Sequence, residues 1–241
     1  MLFLRSLIFQ TYFFISVLLF AALIFACWPL PFSVRFGLAR AWGTTMLWAG
    51  RAVCGLDYVI EGRTNVPEEP SVIMIKHSTV FEAYAQLTIF PPQTWVVKRE
   101  LMWIPIFGWG LAALKPIAID RGAGHTAVAQ VIEQGRAKLA EGVWVTIFPE
   151  GTRVLPGVVR KYGVSGAALA REARCRIVPV AHNAGDLWPR RSFIKRPGLI
   201  RFCIGPPIET ADKSPKEINE AARGWIEAKM AEISNPVRRP G

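Results

Sequence analysis

The N-terminal part of the chain is dominated by one long run of apolar side chains. No charged residue occurs over residues 6–32, and a helix of about 20 apolar residues is enough to cross a bilayer. A cleaved signal peptide is disfavoured because its apolar core is only roughly 7–15 residues long, and the bulky Phe25 disfavours a lipoprotein cleavage site at Cys27. The pattern predicts a retained membrane helix. With Arg5 before the run and Arg35 after it, the charges do not decide whether this helix spans the bilayer or dips into it and returns.

A second helix is predicted after a break at Pro29 and Pro31. Residues 33–53 combine apolar and aromatic positions with interspersed arginines, among them Trp48 and Arg40. A basic helix that carries tryptophan can lie in the plane of a membrane interface, and packing against the folded domain is the alternative. We predict that residues 1–54 form a membrane-embedded, membrane-binding helical hairpin and that residues 55–241 form the folded domain.

Short β-branched runs alternate with helical segments in the rest of the chain. This alternation predicts an α/β domain with a largely parallel sheet flanked by helices. Strands are expected at residues 57–61, 72–76, 94–98, 116–120, 144–148, 176–180 and 200–204. Helices are expected at residues 80–90, 109–114, 126–141, 162–173 and 214–233.

Basic and titratable side chains follow most of the predicted strands. In sheets of this kind, ligands bind beyond the carboxyl ends of the strands, where helices begin. The positions concerned include His77, Lys98, Arg121, Arg153 and His182. The pattern therefore predicts a site for an anionic ligand at this edge of the sheet.

Composition and charge narrow the choice of partner. The chain is 51% hydrophobic and carries a formal net charge of +11, which favours an anionic partner. Nucleic acid is disfavoured because no DNA- or RNA-binding motif is present, and anionic membrane lipid is favoured.

None of the four cysteines has the spacing of a disulfide framework or a metal site, so no metal or cofactor is expected. Free thiols suit a reducing compartment, and we expect the protein at the cytoplasmic face of the inner or plasma membrane.

The hexapeptide HSTVFE places His77 and Glu82 where a strand passes into a helix. Five residues along one regular helix separate two side chains by about 140°, so the pair forms only if His77 lies in the turn before the helix and Glu82 reaches back. A carboxylate on one imidazole nitrogen fixes the tautomer and makes the other nitrogen a better proton acceptor. A capping box with Thr79 as N-cap explains Glu82 equally well. Both interpretations stay open at this point.

The hexapeptide FPEGTR, residues 148–153, follows another predicted strand. Gly151 allows the backbone to approach a ligand closely, and the planar fork of Arg153 suits a phosphate group. Taken alone, the segment is better explained as a charged turn closed by a pair between Glu150 and Arg153.

The order of five motifs along the chain favours a functional site over a simple charged turn. HSTVFE, KREL, IAIDR, FPEGTR and IVPV occur in this order, each at the end of a predicted strand. Together they resemble the glycerolipid acyltransferase family, in particular its 1-acyl-sn-glycerol-3-phosphate (lysophosphatidic acid) acyltransferases, over residues 71–183. The family motif has histidine and aspartate separated by four residues, whereas this chain has Glu82 in the acidic position. Glutamate is longer by one methylene group and can orient the imidazole in the same way.

The resemblance implies acyl transfer without a covalent enzyme intermediate. His77 would be the general base for the sn-2 hydroxyl of lysophosphatidic acid, oriented by Glu82. The hydroxyl would attack an acyl thioester, acyl-CoA or acyl-ACP (acyl carrier protein), to give phosphatidic acid. The sequence agrees in that Ser165 lacks the second glycine spacing of a nucleophile elbow. The substrate phosphate would be bound by Glu150, Gly151, Thr152 and Arg153, with Arg121 and Lys98 as further contacts.

Several alternatives stay open from the sequence. The apolar residues 103–111 suit an acyl pocket, a membrane contact or a plain core helix. The oxyanion donor could be a backbone N–H near His77 or Gly151, and neither His125 nor His182 is excluded as the base. The competing functions are acylation of another lysophospholipid or an aminolipid, lipid hydrolysis with the same base, and non-enzymatic binding of anionic lipid.

Overall fold

A seven-stranded sheet forms the centre of the described part of the chain. The structure, a computed structural model, describes residues 1–120 and 124–235. The strands are β1 (Leu56–Glu61), β2 (Val72–Ile75), β3 (Gln93–Lys98), β4 (Ile117–Ile119), β5 (Trp144–Ile147), β6 (Ile177–His182) and β7 (Gly198–Ile204). Their order is β1-β7-β6-β2-β5-β3-β4, and all neighbouring strands run parallel except β6 and β7. The prediction of a largely parallel α/β sheet is confirmed.

Helices cover both faces of this sheet. Among the described residues they are α1 (Leu2–Ala26), α2 (Phe32–Cys54), α3 (Phe81–Ile89), α4 (Phe107–Ala113), α5 (His125–Ala140), α6 (Ser165–Glu172), α7 (Ala184–Leu187) and α8 (Pro215–Ile233). The sequence predicts all of them except α7. Four residues are too few to show the periodic pattern of a helix.

The side chains of β2 divide the core into two parts. Ile73 and Ile75 face a cluster built with α1–α4, whereas Val72 and Met74 face a cluster built with α5, α6 and α8. The cause is the alternation of successive side chains between the two faces of a strand. Residues that follow β2 therefore reach either of two very different surroundings.

The helix α1 lies along the folded domain. It is the one helix within the described residues that is long and apolar enough to cross a membrane, with a mean hydropathy of 2.3, and 22% of that stretch is buried. The Phe3 ring lies 5.2 Å from the ring of Phe193, and the Phe25 ring lies 5.8 Å from the ring of Trp109. Both ends of the helix thus contact the domain. The division into a membrane-binding part and a domain at residues 54 and 55 stays a prediction.

Two arginines of α2 donate hydrogen bonds to the ends of neighbouring helices. Arg35 donates to the carbonyl of Ala113 at 2.7 Å, at the end of α4. Arg40 donates to the carbonyls of Leu87 and Phe90, each at 3.1 Å, at the end of α3. A cation at this end of a helix compensates the partial negative charge of its unpaired carbonyls. Arg35 is buried, so for this side chain packing against the domain is correct. Arg40 contacts the domain but stays exposed, so its exposure at a membrane interface stays a prediction.

Candidate active site

The side chains of His77 and Glu82 meet at the carboxyl end of β2. Because α3 begins at Phe81, His77 lies in the preceding turn and Glu82 lies in the first helical turn. His77 Nδ1 is 2.8 Å from Glu82 Oε1, so the geometric condition that the sequence set for this pair is met. Since a carboxylate accepts hydrogen bonds, Nδ1 carries the proton and Nε2 carries the lone pair.

Glu82 is held by the backbone as well as by His77. Its Oε1 accepts the N–H groups of Ser78 and Thr79, each at 3.0 Å. The predicted capping box is only half formed, because α3 has Val80 as its N-cap and the buried hydroxyl of Thr79 has no partner within the described residues. The prediction of Thr79 as N-cap is wrong. Glu82 bonds the backbone and the imidazole at the same time, so the two interpretations of this residue are compatible.

The ring of His77 is accessible on the side away from Glu82. It stacks on the ring of Phe148, with 4.1 Å between the centroids, and its side chain is 14% exposed. Nε2 has no hydrogen-bond partner in residues 1–120 and 124–235. An imidazole whose Nδ1–H is bound to a carboxylate and whose Nε2 is free is arranged to accept a proton.

A second histidine, His182 at the end of β6, lies behind Glu82. Its side chain is fully buried, and its Nε2 is 3.6 Å from Glu82 Oε2. Nε2–H donates to the carbonyl of Lys76 at 2.8 Å, and Nδ1 accepts the N–H of Ala184 at 3.4 Å. Burial lowers the pKa of His182, and both of its nitrogens are occupied, so it cannot serve as the base. The side chain of His125 lies outside what the structure describes.

Glu82 keeps its charge although it is completely enclosed. Burial alone would raise its pKa, but the neighbouring His182 and the hydrogen bond from His77 outweigh burial, and the pKa of Glu82 is lowered. The ionised carboxylate can therefore stabilise the positive charge that arises on the His77 ring when Nε2 takes up a proton.

The FPEGTR segment forms a tight turn that is tied to His77. Gly151 has a φ of +67°, which favours glycine, and its N–H donates to the carbonyl of Phe148 at 3.0 Å. The N–H of Val154 donates to the carbonyl of His77 at 2.8 Å. An oxyanion donor near His77 or Gly151 stays a prediction. The N–H groups of Ser78, Thr79 and Gly151 already donate within the protein.

Glu150 lies on the other face of the sheet. Its side chain has no solvent exposure, and its Oε1 is 3.3 Å from Lys76 Nζ. Lys76 Nζ is also 2.6 Å from Glu227 Oε1, which accepts the hydroxyl of Tyr162 at 2.8 Å. Burial raises the pKa of Glu150 to about 7, and the nearby Lys76 only partly offsets this. The Glu150 carboxylate faces Lys76 in this structure, and its role in binding substrate stays a prediction.

The other residues predicted to bind phosphate have different surroundings. Arg153 has a buried Nε without a hydrogen-bond partner and forms no ion pair in the part of the chain that is described. Lys98 is half exposed and pairs with Glu100 at 2.7 Å. Thr152 is partly exposed beside Arg153, and Arg121 lies outside the described residues. Arg153 therefore has hydrogen-bonding capacity left for a ligand.

An apolar cavity of about 270 Å³ lies on the His77 face of the sheet. Phe148, which stacks on His77, is part of its wall, and so is Arg153. The other wall residues come mainly from α1–α4 and β3 and include Val17, Phe20, Trp42, Leu87, Trp95 and Leu114. The cavity is thus lined by a guanidinium and by the aromatic ring on which His77 stacks.

The apolar stretch 103–111 divides between two surroundings. Phe107, Gly110 and Leu111 line the cavity, whereas Trp103 and Trp109 are exposed. One segment thus has both cavity-lining and exposed residues, and its use as an acyl pocket or as a membrane contact stays a prediction.

Comparison with known proteins agrees with this geometry. The Acyltransferase family model matches residues 57–183. A 1-acyl-sn-glycerol-3-phosphate acyltransferase of Pseudomonas aeruginosa is 42% identical over 209 residues, which are 85% of this chain and 81% of that protein. The chain belongs to the acyltransferase family. The resemblance seen in the ordered motifs is confirmed, and His77, Glu82 and Arg153 lie inside the matched region.

More distant members of the family share the same name. The 1-acyl-sn-glycerol-3-phosphate acyltransferase of Saccharomyces cerevisiae is 26% identical over 71% of this chain, and this chain spans only 58% of its length. The crystal structure of the 1-acyl-sn-glycerophosphate (LPA) acyltransferase PlsC from Thermotoga maritima matches 95% of this chain and 94% of that chain, with a TM-score of 0.79 and 19% identity. At this identity, the match shows a shared fold.

Proposed function

We propose that this acyltransferase moves a fatty acyl group from a thioester, acyl-CoA or acyl-ACP, to the sn-2 hydroxyl of lysophosphatidic acid and so forms phosphatidic acid. The observation that carries the proposal is the His77–Glu82 pair beside an apolar cavity that Arg153 also lines. The activity named for the Pseudomonas aeruginosa relative supports this choice of substrate.

His77 is the general base in the proposed reaction. The acceptor oxygen attacks the carbonyl carbon of the thioester while the hydroxyl proton passes to Nε2 of His77, and a C–O bond forms. The C–S bond then breaks, and the departing sulfur takes the proton from the imidazolium. Glu82 holds Nδ1–H throughout and stabilises the imidazolium. Each bond that breaks is matched by one that forms, so no serine nucleophile is required.

The cavity and Arg153 divide the task of substrate binding. Each methylene group of an acyl chain that leaves water for an apolar space contributes about 0.8 kcal/mol. The guanidinium of Arg153 suits a phosphate because its planar fork can donate two parallel hydrogen bonds. Lys98 and Arg121 are proposed as further phosphate contacts, and Lys98 would exchange its partner Glu100 for the phosphate.

The helical hairpin is proposed to lie in one leaflet. From Phe3 to Phe25, α1 extends over about 33 Å at 1.5 Å per residue, which is slightly more than the roughly 30 Å of a hydrocarbon core. Both ends contact the domain, and near its start Lys195 donates from its backbone N–H to Ser6 and from its Nζ to Gln10, at 3.0 and 2.5 Å. A spanning helix would have to break one set of these contacts. We place the domain at the cytoplasmic face of the inner or plasma membrane.

The proposal is tested with purified full-length protein, lysophosphatidic acid and either acyl donor in detergent micelles. Formation of phosphatidic acid is expected with at least one donor, and His77→Ala is expected to lower kcat by about 10²–10⁴-fold while the circular dichroism spectrum is unchanged. Absence of ester formation with both donors would contradict the proposal. Full activity in a folded His77→Ala protein would reject His77 as the base.

Further acceptors separate the competing functions. Lysophospholipids with larger headgroups and an aminolipid without phosphate are added to the same assay, together with Arg153→Met. The loss in kcat/KM caused by Arg153→Met is expected to be large for lysophosphatidic acid and absent for the phosphate-free acceptor. Faster transfer to another acceptor would assign a different substrate. Release of fatty acid without any ester product would indicate a hydrolase.

A further inference from the structure

The residues from Trp103 to Trp109, here named the 103–109 loop, carry an exposed apolar surface. Trp103 is 70% exposed and Trp109 is 50% exposed, and Ile104 and Ile106 between them are 44% and 37% exposed. Single exposed apolar side chains are common, but four large ones within seven residues concentrate exposed apolar surface in one short segment. Such a patch is the usual mark of a surface that meets a membrane or another protein.

The backbone of this loop is fixed in a strained conformation. Ile106 has φ +65° and ψ −60°, which a β-branched residue rarely adopts. The N–H of Phe107 donates to the carbonyl of Pro105 at 2.7 Å and closes a γ-turn, and the N–H of Gly108 donates to the carbonyl of Ile104 at 2.7 Å. Strain of this kind persists where the surrounding structure enforces it, often at functional positions. The loop therefore presents its apolar side chains from a turn that two short backbone hydrogen bonds close.

The exposed surface continues into the end of α1. The ring of Trp109 lies 5.8 Å from that of Phe25, and the ring of Phe25 lies 6.1 Å from that of Trp28. Trp28 and Phe25 are themselves 49% and 44% exposed. The patch is thus continuous with the apolar face of the helix that we place in a leaflet.

Charge and function fit a lipid surface better than a protein partner. The exposed Arg99 lies at the start of the turn that leads into the loop, where it can meet anionic headgroups. Tryptophan is enriched at membrane–water interfaces because its ring is apolar and its N–H is polar. Phe107, Gly110 and Leu111, within the loop or just after it, line the cavity proposed for the acyl chain.

We infer that the 103–109 loop is a second membrane-contacting element, which enters the interfacial region of an anionic phospholipid leaflet beside α1. The inference rests on the proposed placement of α1 in that leaflet. With two contacts, the domain has a fixed orientation on the membrane, and the cavity wall formed by α4 lies next to the lipid that supplies the substrates.

Tryptophan quenching by brominated lipids tests this contact directly. The full-length protein is reconstituted into vesicles of phosphatidylcholine and phosphatidylglycerol, in which the phosphatidylcholine carries bromine near the headgroup end of its acyl chains. Trp103→Phe/Trp109→Phe is compared with the wild type. Trp225→Phe is the matched control, because Trp225 packs in the cluster on the opposite face of the sheet. Phenylalanine keeps the patch apolar and removes only the fluorophore.

In Trp103→Phe/Trp109→Phe, the fraction of tryptophan fluorescence that brominated lipid quenches is expected to fall below that of the wild type. In Trp225→Phe this fraction is expected to rise, because the variant has lost a tryptophan that the lipid does not reach. If the wild type is clearly quenched and the double variant has the same quenched fraction, the inference for the loop is overturned and the placement of α1 is not. No quenching of the wild type would overturn the proposed placement of α1 as well. If the patch is instead an interface between two copies of the chain, the quenched share is unchanged and Trp103→Ser/Trp109→Ser lowers the molar mass in detergent.

Acyl transfer in detergent micelles separates this inference from the enzymatic proposal. Neither Trp103 nor Trp109 lines the cavity, so Trp103→Phe/Trp109→Phe is expected to keep the wild-type kcat in micelles. Trp103→Ser/Trp109→Ser is expected to bind vesicles roughly tenfold more weakly than wild type at an unchanged kcat in micelles. Equal vesicle binding by this variant and the wild type would contradict the inference.

Discussion

Two adjacent residues at the end of β2, Lys76 and His77, reach opposite faces of the sheet and meet opposite surroundings. His77 is 14% exposed and has one carboxylate partner, and its Nε2 has no partner in the part of the chain that the structure describes. Its ring stacks on Phe148, which lines the apolar cavity. Lys76 is 4% exposed and lies between two carboxylates, those of Glu150 and Glu227. Successive side chains of a strand alternate between its two faces, so two consecutive residues can reach such different surroundings.

The difference shows how one strand end can serve chemistry and stability at once. A proton acceptor needs one fixed nitrogen and one accessible nitrogen, and the His77 face provides both. A buried lysine needs full compensation of its charge, and the Lys76 face provides that with two carboxylates. The predictions below change one side of this comparison at a time and start from the largest expected effect.

Removal of one charge from each face is expected to have unequal consequences for activity. Glu82→Gln is expected to lower kcat by about 10²–10⁴-fold, because an amide neither fixes the tautomer of His77 nor stabilises its imidazolium. Glu227→Gln is expected to leave kcat within a few-fold of wild type and to cost about 1–3 kcal/mol of stability. Kinetics and denaturant unfolding of both variants in micelles provide the measurement. Equal kcat values for the two would remove the distinction between the faces.

Removal of the Lys76 cation, on the face of the sheet opposite His77, is expected to lower the free energy of unfolding. Lys76→Met leaves the buried carboxyl group of Glu150 and the partly buried one of Glu227 without their shared partner, and breaking a buried pair costs about 3–5 kcal/mol. The matched control is Lys115→Met, since Lys115 pairs with Glu141 at 3.3 Å on the exposed surface and such pairs contribute up to about 1 kcal/mol. A cost for Lys76→Met as small as that for Lys115→Met would show that Lys76 is not important for stability.

The sequence predicts the sheet well because its signal is local. Each strand is a short β-branched run bounded by polar or turn residues, and the observed bounds lie within two residues of the expected ones. The carboxylate–imidazole pair is local too, since its members are five residues apart. Thr79 as N-cap is a local prediction that fails, because α3 has Val80 as its N-cap and the threonine hydroxyl has no partner within the described residues.

Contacts between distant parts of the chain could not be predicted in this way. Lys76 and Glu227 are 151 residues apart, and the contact of His182 with the carbonyl of Lys76 joins residues 106 positions apart. Both are set by the strand order and by the packing of α8 against the sheet, which local patterns do not specify. The sequence marked His182 as a residue at a strand end, but only the structure places its ring behind Glu82.

A variant can show whether His182 positions the His77–Glu82 pair through its hydrogen bonds or only fills space behind it. His182→Phe keeps a ring against Phe202 but leaves the carbonyl of Lys76 without its donor and removes the N–H beside Glu82. We expect kcat/KM to fall by roughly 10–100-fold, because a small displacement of a catalytic group has effects of this size. The acid limb of the pH profile, which reports the essential base, is expected to shift as well.

The conservative variant His182→Gln is the control, since its amide can restore an N–H donor to the carbonyl. Recovery of both kcat/KM and the pH profile in His182→Gln is expected. If the phenylalanine and glutamine variants have equal activity and the wild-type pH profile, His182 only fills space in the core.

The smallest expected effect concerns the protonation of Glu150. Burial raises its pKa from 4.5 to about 7, whereas in the unfolded chain the carboxyl ionises near its ordinary value. The stability that this carboxyl contributes is therefore fully present below about pH 4.5 and is lost as the pH rises through about 7. In Glu150→Gln the side chain at this position cannot ionise, so the variant does not lose this stability as the pH rises. The variant is thus expected to gain on the order of 1–3 kcal/mol relative to wild type between about pH 4.5 and pH 8.

Unfolding midpoints of wild type and Glu150→Gln in micelles, measured over this pH range, give the difference directly, because the other titrating groups are common to both proteins. Glu172→Gln on the exposed surface of α6 is the matched control for removal of a carboxyl group outside the core. A flat difference for Glu150→Gln would mean that Glu150 is ionised in the folded protein over this whole pH range, as it is in the unfolded chain. Lys76 would then stabilise that charge as completely as the backbone and His77 stabilise Glu82, and the two faces of the sheet would differ in accessibility alone.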